Sequence, residues 1–442
     1  MTSTLTHRTT RPTKPERNLP RLWLWAALAT LSVTIVGGSV ALAESFGRMP
    51  AADAGLSGAG LEALSDSIQG YVDRGELGGG VALVARRGKV AYLESFGFRD
   101  REAGAAMKED DIFRIASQTK ALVSVAIMML QERGALVIAD PLYKYLPEFR
   151  TTTVAVTRES GGYDVVPASR PITLRDLLTH HSGIGYGVGP AADRWQKAGI
   201  VGWYFADREE PIRETVAKMA SLPFDAQPGE RLVYGYSTDI LGVVVEEVSG
   251  MSLDAFLRSQ ILEPLEMNDT HFYLPKEKAD RLTVVYSAQE GGGIERASDA
   301  GQGAYLNGPR KSFSGGAGLL STAGDYGRFL QMLLNGGELD GARILSRKSV
   351  ELMTTSHYPW TGALFAGDGR GFGLGFWVVE DVGARGVPGS VGEYGWGGAY
   401  HSTYWVDPAE ELIVVYITQL LPALGLDDQA YVRAMVYGAI VD

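Results

Sequence analysis

The sequence predicts an α/β fold of the α+β type, in which an antiparallel sheet built from both chain ends is flanked by helices and carries a large, mainly helical insertion. Stretches rich in β-branched and aromatic residues lie near both chain ends, and the region between them has apolar residues at helical spacing. The chain has 442 residues, of which 45% are hydrophobic, so it can bury a large core. Packing the inserted helices against the sheet is the simplest way to cover both.

The N-terminal segment 1–43 is typical of an export signal. An apolar run over 22–43 ends in Ala41-Leu42-Ala43, and five basic residues precede it: Arg8, Arg11, Lys14, Arg17 and Arg21. The run is also long enough to span a bilayer. We therefore expect either a cleaved signal peptide or an uncleaved N-terminal membrane anchor. Both alternatives export the body of the protein, which is then periplasmic or secreted, or is held at the inner membrane.

The body of the chain, 50–440, is expected to form one domain. Segments 81–85 and 90–93 flank a polar turn and predict a hairpin, and segments 372–379, 402–406 and 412–418 predict strands near the C-terminus. Segments 121–133, 173–178 and 237–248 predict helices. The sheet region then comprises about 50–115 and 310–440, and the helical insertion covers about 120–300.

Charge and composition exclude several classes of function. The formal net charge is −11 and the body has no basic run, so we expect no nucleic-acid partner. The absence of cysteine removes disulfides, thiolate metal sites and a cysteine nucleophile. His180 and His181 are adjacent and cannot act as an i, i+4 metal-binding pair, so we interpret them as structural. We expect no metal and no cofactor, and the oligomeric state stays unknown.

A candidate nucleophile lies in the sequence Ile115-Ala116-Ser117-Gln118-Thr119-Lys120. A serine and a lysine three residues apart at the start of a helix share one face, and the backbone amides there can stabilise negative charge. A serine hydroxyl needs a neighbouring base, and a lysine can serve only where its surroundings favour the neutral amine. Ser-x-x-Lys is common by chance, so its context in the rest of the sequence must decide whether this motif is catalytic.

That context includes Tyr234, which follows the turn at Pro228-Gly229 and precedes a predicted helix. A phenol there can share protons with both Ser117 and Lys120. The combination resembles the class C β-lactamase and penicillin-binding superfamily, whose Ser-x-x-Lys motif is followed by Tyr-x-Asn or Tyr-x-Ser after a Pro-Gly turn. Segments 177–183, 316–322 and 406–408 match the same pattern in order, so the resemblance spans about 50–440. It implies a β-lactamase/transpeptidase-like fold and a serine hydrolase that is acylated on Ser117 and activated by Lys120 and Tyr234, either of which is a candidate base.

The departures from this pattern bear on the substrate. Where the β-lactamases of the family carry Lys-Thr-Gly, this chain has Trp396-Gly397-Gly398, and Tyr236 stands in place of the Asn of Tyr-x-Asn. An indole cannot hold a substrate carboxylate as an ammonium group does. Both changes resemble the family VIII carboxylesterases. This resemblance implies an oxyanion hole formed by the backbone N–H groups of Ser117 and Ala399, with Trp396, Gly397, Gly398 and Tyr236 as substrate-binding residues.

We therefore expect an esterase that acts on small or apolar esters, with a small-molecule ester or amide as its partner. Two alternatives stay open. One is a β-lactamase or D-amino-acid peptidase acting on cell-wall-like substrates, and the other is an acyltransferase or a non-catalytic penicillin-binding-like sensor. His401 has two interpretations, a pocket residue or a surface residue at a strand end. Trp203, Tyr204 and Phe205 are either pocket or core residues.

Overall fold

The central sheet joins the two ends of the chain. In this computed structural model, which describes residues 46–359 and 367–442, the sheet has nine antiparallel strands. All strands of the described residues, including those of four small sheets, are, in chain order, β1 Gly79–Arg86, β2 Lys89–Asp100, β3 Ala105–Ala106, β4 Phe113–Arg114, β5 Thr153–Thr157, β6 Tyr163–Pro167, β7 Pro223–Phe224, β8 Tyr286–Ala288, β9 Ile294–Arg296, β10 Leu320–Ser321, β11 Glu338–Leu339, β12 Ala342–Arg343, β13 Tyr358–Pro359, β14 Arg370–Phe372, β15 Trp377–Val379, β16 Tyr394–Gly398, β17 Ser402–Asp407 and β18 Leu412–Thr418.

Most of the α-helices lie between the N-terminal and C-terminal strands of the central sheet. The α-helices of the described residues are α1 Gly58–Asp73, α2 Thr119–Glu132, α3 Leu174–Leu178, α4 Ala192–Lys197, α5 Ile212–Met219, α6 Ser237–Ser249, α7 Leu253–Leu257, α8 Asp299–Gln302, α9 Ala323–Leu334, α10 Arg347–Met353, α11 Val382–Arg385 and α12 Asp428–Gly438. Short 3₁₀ turns cover Ala116–Gln118, Leu142–Lys144, Pro147–Arg150 and Lys276–Arg281, and Arg258–Leu262 is a π-helical turn.

The order of strands in the central sheet is β13-β14-β15-β16-β17-β18-β1-β2-β3. The C-terminal strand β18 pairs with β1 in a register that sets Val414 opposite Val84. Strands from both chain ends thus form one sheet, and most of the α-helices lie in the stretch between them, which confirms the predicted fold class. Strands β1 and β18 are buried along their whole length, as expected for strands covered on both faces.

Two core layers cover the sheet. Alternate side chains of β1 point to opposite faces, so Leu83 packs with α2 and α9 on one face while Val84 packs with α1 and α12 on the other. Helix α6 lies behind α2 and belongs to the first layer. The first layer matters for the site, because it fixes α2, and the 3₁₀ turn Ala116–Gln118 that leads into α2 contacts β16.

Most predicted elements lie where the sequence places them, with one difference of detail. Segment 372–379, expected as one strand, contains the last residue of β14, a turn and the whole of β15, and the two strands pair as a hairpin. The chain reverses at Gly375, whose φ of +96° suits glycine, and a Cβ there would lie 2.5 Å from Ser124 Oγ.

The predicted export segment 1–43 lies outside the described residues. Within the described ranges, none of the helices combines the length and the apolar character that a bilayer crossing requires.

Candidate active site

Lys120 lies at the centre of a polar cluster at the start of α2. Its Nζ donates to the Gly316 carbonyl at 2.7 Å and lies 3.1 Å from the Tyr186 hydroxyl and 3.3 Å from Ser117 Oγ. Only 2% of the Lys120 side chain is exposed. Ala116, just before the serine, has a φ of +42°, a strained value of the kind that concentrates at functional sites. The serine and lysine of the motif therefore lie within contact of each other, as their spacing on one helical face predicts.

Tyr234 joins this cluster from the loop before α6. Lys120 Nζ lies 4.7 Å from the centre of the Tyr234 ring, and Trp396 Nε1 donates to the Tyr234 hydroxyl at 3.0 Å. The indole of β16 thus orients the phenol over the lysine. The structure brings Tyr234 and Trp396, from two distant parts of the sequence, to the pair Ser117 and Lys120.

A second tyrosine, Tyr186, was missed by the sequence reasoning. Its ring packs edge-on against Tyr234 with centroids 5.8 Å apart, and its hydroxyl contacts Lys120 Nζ. Burial, and then the nearby Tyr234, raise the pKa of Tyr186 well above its ordinary value. The available signal was Tyr186 between Gly185 and Gly187, just beyond the 177–183 segment that matches the family pattern.

A buried carboxylate, that of Asp239, fixes the backbone at Gly316, whose carbonyl accepts a hydrogen bond from Lys120. Asp239 of α6 accepts hydrogen bonds from Ser314 Oγ at 2.6 Å and from the backbone N–H of Gly316 at 3.1 Å. Burial raises the pKa of Asp239, and the charge of Lys120 opposes this shift. Helix α6 therefore positions Lys120 through the backbone of Gly316.

The edge of β16 forms one wall of a cavity of about 530 Å³ that Ser117, Tyr186 and Tyr234 also line. Trp396, Gly397, Gly398 and Ala399 follow one another along this wall. A Cβ on Gly398 would lie 2.6 Å from the Ile115 carbonyl oxygen and 2.5 Å from Ser402 Oγ, so only glycine lets the strand approach the serine segment. Ser117 and Ala399 line the same cavity.

Other residues give the cavity its aromatic character. Trp203 and Trp377 line it, together with Arg370, which donates from Nε to Asp368 at 2.8 Å. His401 also lines it, which decides between its two interpretations.

The aromatic run next to Trp203 divides between cavity and core. Only Trp203 of the three reaches the cavity, since Tyr204 packs edge-on against Tyr305 and Phe205 lies in the core.

Tyr236 is a correction to the expected substrate-binding set. It is fully buried, its hydroxyl donates to the Gly202 carbonyl at 2.6 Å, and its ring stacks on Trp195. The chain turns into α6 at this residue, so the side chain of Tyr236 points into the core whereas Tyr234 faces the cavity. Tyr236 therefore secures the loop around Gly202 instead of lining the substrate cavity.

The adjacent histidines, His180 and His181, pack against aromatic rings, and His180 contacts Tyr234 of the cluster. The His180 ring lies 4.6 Å from the Tyr234 ring, and burial, with the charge of Lys120 next, lowers its pKa well below the ordinary value. It is therefore neutral at pH 7. His181 stacks on Tyr358 at 4.0 Å.

Comparison with known proteins places this arrangement in a family. Residues 64–437 match the family profile described as Beta-lactamase. Esterase EstB of Burkholderia gladioli is 33% identical over 383 residues, which cover 82% of this chain and 91% of EstB. Protein Rv1367c of Mycobacterium tuberculosis is 36% identical over 391 residues, covering 84% of this chain and 93% of that protein.

The solved structure of EstCE1, described as a hydrolase with promiscuous acyltransferase activity, has a TM-score of 0.75 and 27% identity, covering 86% of this chain and 98% of EstCE1. The resemblance seen in the motifs is confirmed, and this chain belongs to the β-lactamase family.

Proposed function

We propose that this protein is a serine hydrolase that forms an acyl-enzyme on Ser117 and hydrolyses small or apolar carboxylic esters. The observation that carries the proposal is the position of Lys120 Nζ, 3.3 Å from Ser117 Oγ and 3.1 Å from the Tyr186 hydroxyl, at the wall of a cavity. A hydroxyl that is hydrogen-bonded to a potential base is the arrangement that nucleophilic catalysis requires.

The reaction proceeds by acyl transfer in two steps. Ser117 Oγ attacks the ester carbonyl and passes its proton to the unit formed by Lys120 and the two phenols, which accepts the proton in the state where the Lys120 amine is neutral. The N–H groups of Ser117 and Ala399 stabilise the oxyanion, and Tyr234 protonates the departing alcohol. Water then attacks the acyl-enzyme and returns the proton to Ser117 by the reverse route. Because these groups interact closely, they share the proton as one unit.

The cavity wall favours esters over carboxylate-bearing substrates. Trp396 takes the place of the family's lysine, and Trp203 and Trp377 add further apolar surface. The similarity to an esterase and to a hydrolase with acyltransferase activity supports the same substrate class. Export by way of segment 1–43 remains part of the proposal.

Mass spectrometry combined with a substrate panel tests the function. Purified protein is incubated with p-nitrophenyl acetate and butyrate, nitrocefin and a D-Ala-D-Ala peptide. We expect ester hydrolysis and an acyl adduct on the Ser117 peptide, both absent in Ser117→Ala. Ser221→Ala removes an exposed serine outside the cavity and serves as the matched control, with wild-type turnover expected. Rapid nitrocefin turnover without ester hydrolysis, or a folded protein that forms no adduct with any donor, would overturn the proposal.

A further inference from the structure

A histidine on the cavity wall, His401, pairs with a buried aspartate, Asp428, and the mechanism above uses neither residue. We propose that His401, fixed by Asp428, determines specificity by binding a hydroxyl or amide N–H group of the substrate. This inference rests on the proposed function, because it concerns the substrate of the same cavity.

The backbone at His401 indicates that this side chain has a role. His401 has a φ of +61°, which lies in the left-handed region that favours glycine and that other residues occupy at an energetic cost. Thr418 Oγ1 holds this turn by donating to the His401 carbonyl at 2.6 Å. A strained backbone that carries an imidazole into a catalytic cavity points to a use for the imidazole.

Asp428 fixes the orientation of the ring. His401 Nε2 lies 2.6 Å from Asp428 Oδ1, and the other carboxylate oxygen accepts from the Tyr416 hydroxyl at 2.7 Å. Asp428 and Tyr416 are both fully buried, and Asp428 is the first residue of α12. In the neutral ring, the proton therefore lies on Nε2, and Nδ1 is left as a hydrogen-bond acceptor.

The remaining nitrogen is available to a ligand. Within the described residues, Nδ1 of His401 makes no hydrogen bond, and it is not among the buried polar atoms that lack a partner. His401 lines the cavity two residues after Ala399, whose N–H would bind the oxyanion. An acceptor at this position, among the indoles of Trp203, Trp377 and Trp396, selects a donor group close to the ester carbonyl.

Two matched pairs of esters test the proposal. p-Nitrophenyl 3-hydroxybutyrate is compared with p-nitrophenyl butyrate for the acyl side, and 2-hydroxyethyl butyrate with propyl butyrate for the alcohol side. We expect the wild type to prefer the hydroxylated member of at least one pair by roughly tenfold in kcat/KM, the value of one hydrogen bond in a desolvated site. The affected pair identifies the side of the ester that His401 contacts.

Variants separate this role from a structural one. His401→Gly suits the positive φ at this position and removes the acceptor, so the ratio of kcat/KM between the two esters of the affected pair should fall to about one. His401→Gln should retain part of the preference. Tyr437→Phe is the matched control, because Tyr437 ties α12 to Glu393 and Asp407, and neither it nor these partners line the cavity. This control should lower stability and leave the preference intact.

Binding measurements keep the two proposals distinguishable. In the Ser117→Ala background, calorimetry should show roughly tenfold weaker binding of the preferred hydroxylated ester when His401→Gly is added, with no such loss for its partner ester. Equal preference in wild type and His401→Gly, or no preference in either pair, would overturn the role of His401. If the wild type hydrolyses no ester and forms no adduct on Ser117, but the hydroxylated ester still binds more tightly than its partner ester, the proposed function alone would be overturned.

Discussion

The amine of Lys120 is surrounded almost entirely by protein. It contacts a carbonyl, a serine hydroxyl and a phenol, and a second phenol lies against it. Each hydrogen bond limits the directions in which the amine can take or release a proton. The chemistry at Ser117 therefore depends on a few atoms whose positions are set by four separate segments of the chain.

Tyr186→Phe should slow the reaction without unfolding the protein. The variant removes one hydrogen bond to Lys120 Nζ. When the amine has taken up the Ser117 proton, a bond to this charged group contributes about 1.5–3 kcal/mol, so kcat should fall roughly 10- to 100-fold. Steady-state kinetics with p-nitrophenyl butyrate measures the loss. Tyr163→Phe, whose hydroxyl bonds Asp193 away from the cavity, is the control. Unchanged kcat in Tyr186→Phe would exclude Tyr186 from the proton-sharing unit.

His271 should make the protein less stable in acid. Burial, and then the charge of Lys278, lower its pKa from about 6.5 to about 4. The unfolded chain therefore takes up a proton near pH 6.5 that the folded protein accepts only near pH 4. As the pH falls from 7 to 4, this difference favours the unfolded state by up to about 3 kcal/mol.

The measurement compares His271→Gln with the wild type in urea unfolding at pH 7 and pH 4.5. The variant lacks the titrating ring, so its stability relative to the wild type should rise on acidification. Other titrating groups, such as Asp325, contribute equally to both proteins and cancel in the difference. A difference that does not change with pH would contradict the shifted pKa.

At the scale of elements, α12 packs on the face of the sheet opposite to α2 and contacts two segments next to the cavity wall. Its first residue holds His401, and Arg433 in its middle binds Glu393, the residue before β16. Glu393 is fully buried, and burial raises its pKa while Arg433 opposes the shift. The helix thus anchors the turns at both ends of the segment that carries Trp396.

Glu393→Gln should be strongly destabilising. It leaves the Arg433 guanidinium buried without its counter-charge, a loss that costs about 3 kcal/mol or more. The midpoint of urea unfolding should fall accordingly. Glu351→Gln removes an acidic residue from an exposed pair with Lys348, and the midpoint should not move measurably. A similar midpoint in both variants would show that the buried pair does not stabilise α12.

At the scale of the whole molecule, the pairing of β1 with β18 links regions that are more than 300 residues apart. Both core layers share these two strands, so neither layer can keep its packing without them. We therefore expect the helical insertion and the sheet to unfold together.

Val84→Ala tests this cooperativity. Loss of two buried methyl groups costs about 2 kcal/mol. Far-UV circular dichroism and tryptophan fluorescence should report the same lowered midpoint, because they follow one transition. Val156→Ala, at an exposed position of β5, is the control and should change little. A circular dichroism midpoint that stays in place while the fluorescence midpoint shifts would indicate that the insertion unfolds independently.

Local pattern was sufficient for several of the elements and for part of the site. The run 412–418 reads as a buried strand and forms one with the same bounds, and the three-residue spacing of Ser117 and Lys120 puts them on one helical face. Both predictions succeed because strands and helices repeat regularly, so the spacing of residues in the sequence determines which side chains share a face.

Only the tertiary structure decided which loop side chains reach the cavity. Tyr186 and His401 point into it and Tyr236 does not, although all three are polar aromatic residues outside helix interiors. Their directions depend on the φ and ψ angles of irregular segments and on distant partners such as Asp428 and Gly202. A residue pattern has no period in such segments, so packing alone determines where these side chains lie.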